Sequence, residues 1–123
     1  MLGARAVAFG VATFALMALA PACGGGLSSA KADYRKGRIA EAKVELLVLE
    51  PDSHRWSPQR RAEYALYRGL VHHALGDRAA AGVWLAEAKA LDDTQPRTLD
   101  PEDRVRLKLA LESLAGQVPP ASP

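Results

Sequence analysis

Hydrophobic positions along this chain follow two different rules. From Ala6 to Ala20 they are nearly unbroken, AVAFGVATFALMALA. After Leu27 they recur every three or four residues, the spacing that gathers side chains on one face of a helix. SSAKADYRKG, residues 28–37, predicts a short helix ended by Gly37, since glycine accepts the left-handed conformation that closes helices. RIAEAKVELLVLEP follows, with Ile39, Ala42, Leu46 and Leu49 on one face and Pro51 expected to stop it. PDSHRW is a loop. Ser57 and Pro58 then start a long helix as N-cap and first residue. It offers Tyr67, Leu70, Val71, Ala74 and Leu75 to a core, and Gly76 ends it. Asp77 caps the next helix, RAAAGVWLAEAKAL, in which Ala81, Trp84, Leu85 and Ala88 recur at helical spacing.

DDTQPRTL is a second loop, leading to Asp100 and Pro101, another cap-and-proline start. The last segment, EDRVRLKLALESLAG, carries two patterns. Val105, Leu107, Leu109 and Leu111 alternate as in a strand, whereas Leu107, Ala110, Leu111 and Leu114 share a helical face. The cap, the acidic first turn and the helix-forming composition decide for helix. GQVPPASP closes the chain as a proline-rich tail expected to stay extended. The expectation is an all-α domain of about five helices over residues 28–115, with 116–123 as the tail.

Composition narrows the function classes. The 123 residues suit one small domain. With 16 basic and 14 acidic residues the net charge is +2, which does not point to a nucleic-acid partner. The single cysteine, Cys23, cannot close an internal disulfide.

Cys23 instead changes how the N-terminus is read. The apolar run has Arg5 as its only positive flank and is shorter than the roughly 20 residues a membrane-spanning helix needs. It matches the apolar core of a secretory signal followed by small residues. ALAPAC, ending at Cys23, resembles the lipobox of bacterial lipoproteins. In that family a diacylglyceryl group is attached to the thiol, the signal is cut before the cysteine, and the new amine is acylated. The resemblance implies a signal peptide over residues 1–22 and a lipidated Cys23, with 23–27 as a glycine-rich tether. The covalent lipid is the only non-protein group expected. Plain export with cleavage after Ala22, or an uncleaved anchor, are the alternatives. Gly24 stands where aspartate marks inner-membrane retention in some enteric bacteria. By resemblance this favours the outer membrane, with the domain facing the periplasm.

The mature segment contains a repeat. YRKGRIAEAKVELL and HALGDRAAAGVWLAEA both place alanine five residues after a glycine (Ala42, Ala81) and a large apolar residue four further on (Leu46, Leu85). AEYALYRGLVHHALGDRAAAGVWLAEAKALD, residues 62–92, resembles a tetratricopeptide repeat, with Gly69, Gly76, Ala81, Leu85 and Ala88 at the family's small and packing positions. The glycine turns lie 39 residues apart, against a family period of about 34. No third glycine turn follows, so the helix from Pro101 is expected to cap the stack. The resemblance implies antiparallel helix pairs and a groove lined by the first helix of each pair. Matched position by position, that groove takes Glu63, Leu66, Leu70 and His73 from the second repeat. Lys31, Tyr34 and Arg35 come from the first. An irregular five-helix bundle is the alternative fold.

Other chemistry finds little support in the residues. His72 and His73 are adjacent, so on a helix they point about 100° apart and cannot chelate as an i, i+4 pair would. His54 lies in a loop, and no cysteine pair or carboxylate cluster completes a metal site. Asp52, His54 and Ser57 are neighbours, but Ser57 already has a capping role and no nucleophile elbow or phosphate loop appears. The chain is therefore expected not to be an enzyme, to bind no metal and to take no evident small-molecule substrate. The expected function is a lipid-anchored periplasmic adaptor or scaffold that binds envelope proteins through a helical-repeat groove. A pilotin-like or assembly lipoprotein for an outer-membrane machine is a sharper form of it. A purely structural bundle is the competing class.

Overall fold

The computed structural model describes residues 25–94 and 98–116. The predicted signal, Cys23 and most of the tail lie outside the described residues. Those described are all-helical, without strands: α1 (Gly25–Arg35), α2 (Ile39–Ser53), α3 (Pro58–Ala74), α4 (Arg78–Thr94) and α5 (Pro101–Gly116).

The turns work as the sequence predicts. Gly37 and Gly76 sit at φ 78° and 81°, a conformation that is strained for any residue with a Cβ. Ser57 Oγ accepts from Arg60 N (3.4 Å), Asp77 Oδ1 from Ala80 N (3.1 Å) and Asp100 Oδ1 from Asp103 N (2.8 Å). Each relieves one of the N–H groups that a helix start leaves without a partner.

Several expectations differ from the structure, among them the loop from Asp92, which α4 covers as far as Thr94. α1 begins at Gly25, so Gly25–Leu27 belong to the helix and not to the tether, and Leu27 is buried. α2 runs through Pro51 to Ser53. Proline costs an i→i−4 bond but need not end a helix; here the chain continues one half-turn and Ser53 Oγ donates to Glu50 O (2.6 Å). Ala74 and Leu75, expected in the core, are not buried there, because the last turn of α3 runs past the helices that cover the rest of it.

Each helix packs on its successor, and α1 and α5 both also touch α3. α3 is consequently the most enclosed element, with every residue from Tyr64 to His72 buried. Small residues set its distance from α4: a Cβ on Gly69 would lie 2.6 Å from Leu85 Cγ and Cδ2. Ala30, seven residues before Gly37 as Gly69 is before Gly76, is fully buried as well. The repeated pairs Ala42/Ala81 and Leu46/Leu85 are all fully buried. Tyr64, at 2% exposure, donates to Leu46 O (2.7 Å) and lies edge-on to Trp56 and Trp84. This ties α2, α3 and α4 together with its hydroxyl satisfied. In α5 the helical pattern prevails: Leu107 and Ala110 are buried, whereas Val105 and Leu109 face outward.

Candidate functional site

Residues of α1, α3 and α5 line one side of the domain. Two adjoining hollows of about 540 and 280 Å³ share Tyr34 and Arg106. Arg35, Gly37, Ile39 and Ala74 line the first. Leu70, His73, Leu109, Ala110 and Ser113 line the second. The groove therefore has mixed apolar and polar walls, two guanidinium groups, and no carboxylate among its lining residues.

Beneath it lies a polar junction with no counterpart in the sequence pattern. Tyr67 Oη donates to Asp103 Oδ1 (2.8 Å), and Arg35 Nη2 donates to Tyr67 Oη (3.4 Å). Arg106 Nη1 reaches the same Asp103 oxygen (3.1 Å), and its Nη2 donates to Glu102 (2.5 Å). Lys31 forms an ion pair with Glu63 and stands 3.9 Å from Asp103 Oδ2 and 5.4 Å from the centre of the Tyr67 ring. Tyr34 meets Tyr67 edge to face at 5.6 Å. Asp103 is 1% exposed, so its charge depends on these donors. Burial, and then the hydrogen bond and charge of Asp103, hold the Tyr67 phenol far above its usual pKa. It therefore remains a protonated donor. Burial raises Tyr34 too, with Arg106 opposing.

The seven residues expected to form the groove divide into three sets. Tyr34, Arg35, Leu70 and His73 line it. Lys31 and Glu63 satisfy each other across α1 and α3. Leu66 is fully buried and lies in the interior, away from the groove surface. Arg106, Leu109 and Ser113 escape the sequence pattern because α5 reads there only as a cap. The acidic first turn of α5 reads as a match to the helix dipole, although Asp103 is its buried anchor. A buried acid one turn after a cap has no distinctive sequence signal.

Two histidine expectations can be placed. His72 is nearly buried and points toward the start of α4, with Nδ1 3.9 Å from Asp77 Oδ2. The Gly76 turn brings Asp77 back toward the buried side of α3, so the contact is made by His72 and not by its neighbour His73. Burial, then the Arg68 charge, lower the His72 pKa against the pull of Asp77. Among the described residues no three His, Cys, Asp or Glu side chains are grouped to hold a metal ion.

A further hollow of about 310 Å³ separates α4 from α5. Of its charged lining residues, Arg104 donates to Asp92 at 2.8 and 2.9 Å and Lys89 to Asp93 at 2.6 Å. The groove lined by Arg35 differs in drawing its lining residues from α1, α3 and α5 together. Among the described residues no helix is long and apolar enough to cross a membrane. The chain matches no family model, no curated protein and no solved structure.

Proposed function

We propose that this protein is a lipid-anchored adaptor of the bacterial envelope, attached through Cys23 and binding a partner protein in the groove between α1, α3 and α5. One observation carries the binding half: Tyr34, Arg35, His73 and Leu109 converge on a continuous hollow from three helices. Aromatic and arginine side chains are common anchors of protein interfaces, and the leucines suit the apolar face of a peptide or helix. The tetratricopeptide reading is part of the proposal. It is supported by two glycine turns, by small residues where helices touch closely, and by contact of α1 and α5 with α3. Attachment rests on the resemblance of ALAPAC to a lipobox. A pilotin-like role for an outer-membrane machine is the narrower form of this proposal.

The competing reading is a structural bundle, and a specific observation favours it. Leu66 and the Lys31–Glu63 pair, three of the residues expected to bind, are used inside the fold. In-cell photo-crosslinking separates the two readings. A crosslinker at Leu109, 59% exposed, should capture one defined envelope protein, and Arg35→Glu should abolish the capture without unfolding the chain. The same crosslinker at Val83, exposed on α4, should not capture it. Equal products at both positions, or none, would favour the structural bundle.

A further inference from the structure

Helix α2 has apolar residues on two sides. One side buries Ala42 and Leu46. The other holds Val44, Leu47 and Val48, which are 61%, 43% and 72% exposed, and continues to exposed Pro51. Steps of three and four residues make these a single stripe along the helix. One exposed valine needs no explanation, but a contiguous apolar stripe on a small domain does. The stripe runs toward the α2–α3 loop. There Arg55, and Arg60 in the first turn of α3, form no ion pair among the described residues, and Arg60 stacks 4.1 Å from the centre of the Trp56 ring.

Two facts set a membrane near the last turns of α2. α1 packs along α2, and its second residue, Gly26, is so close to Leu49 that an added Cβ would lie 2.8 Å from Leu49 Cδ2. In the sequence Cys23 stands two residues before α1, and the apolar run Ala6–Ala20 ends three residues before Cys23. A lipid on Cys23 and an uncleaved anchor both bring the bilayer to within a few residues of α2. A tether that short holds the last turns of α2 within reach of the bilayer surface.

We propose that the exposed face of α2 lies on the phospholipid surface to which the chain is anchored, with Val44, Leu47 and Val48 at the acyl boundary and Arg55 and Arg60 on anionic headgroups. This rests on the anchoring half of the proposed function and not on the groove. Amphipathic helices bind bilayers in this way, by apolar burial together with attraction of basic side chains to anionic lipid. Lipid anchoring already holds the chain at the bilayer, so a second contact through α2 chiefly sets its orientation. The groove takes only Ile39 from α2, so a domain lying on α2 keeps the groove open to a partner.

The test uses the full chain isolated from membranes and reconstituted into vesicles of phosphatidylethanolamine containing a quarter phosphatidylglycerol. An environment-sensitive dye is placed at Val48→Cys or, as the control, at Val83→Cys on α4. Wild type treated with the same dye reports any label on Cys23. Brominated lipid should quench the dye at position 48 several-fold more than at 83. Arg55→Glu with Arg60→Glu, or phosphatidylcholine in place of phosphatidylglycerol, should shrink that difference. Equal quenching at both positions in a chain that floats with the vesicles would overturn the α2 contact and leave the anchor standing. A chain that does not float would overturn both. A dye at 48 that is shielded without vesicles, in proportion to protein concentration, would show that a second copy covers the stripe and would also overturn the proposal.

Discussion

The phenol of Tyr67 on α3 and the carboxylate of Asp103 on α5 are joined by a 2.8 Å hydrogen bond inside the domain. Asp103 depends on it, since at 1% exposure water cannot replace the donor. Tyr67→Phe removes this donor and leaves Arg106 Nη1 on the same oxygen. Its expected cost is about 1.5–3 kcal/mol, the range for a hydrogen bond to a charged group. Urea unfolding should show it. Asp103→Asn, which retains an acceptor for Tyr67, should cost less than Asp103→Ala.

Close approach of α3 and α4 depends on the missing side chain at Gly69. Gly69→Ala places a Cβ 2.6 Å from Leu85 and should destabilise by about 1–3 kcal/mol, as overpacking does. Gly82, within α4, has open space where a Cβ would stand, with no neighbouring atom within 4 Å. Gly82→Ala should therefore stabilise by about 0.5–1 kcal/mol through helix propensity. Thermal unfolding of the two variants should shift in opposite directions.

At the α3–α4 turn, Gly76 has φ 81° and open space around it. Gly76→Ala should cost about 1–2 kcal/mol from backbone strain alone. Gly76→Asn should recover part of the loss, since asparagine tolerates that region better. Denaturant midpoints of both variants would check this.

The pKa of His72 is lowered, chiefly by burial and next by Arg68. The unfolded chain then binds a proton more readily than the folded one, so stability rises with pH across this titration. Stability should be fully present above the ordinary imidazole value of 6.5. It should decline as pH falls through that value and level off below the depressed folded one. In His72→Gln this step should be absent from a plot of denaturant midpoint against pH.

Much of the helix layout is legible in the sequence, because its signals are local. Glycine after a periodic run, serine or aspartate just before a helix start, and recurring Ala42/Leu46 and Ala81/Leu85 each act over a few residues. Pro51 misleads because a helix in its last turn can tolerate a missing N–H. Ala74 and Leu75 mislead because periodicity shows which face is apolar but not how far a neighbour extends along it. For the groove, Tyr34, Arg35, Leu70 and His73 follow from the repeat pattern. Leu66 and the Lys31–Glu63 pair depart from it because packing inside the domain and the junction beneath the groove engage them, a long-range relationship with no local signature. Arg106 and Leu109 escape the pattern for the same reason.

The proposed envelope location depends on one atom, Cys23 Sγ, and intact mass of the chain from a bacterial membrane fraction, wild type beside Cys23→Ser, tests it most directly. The expected species begins at Cys23 and carries acyl mass, with both the processing and the added mass lost in the serine variant. A chain that begins at Cys23 without acyl mass, or one that still begins at Met1, would contradict lipid anchoring.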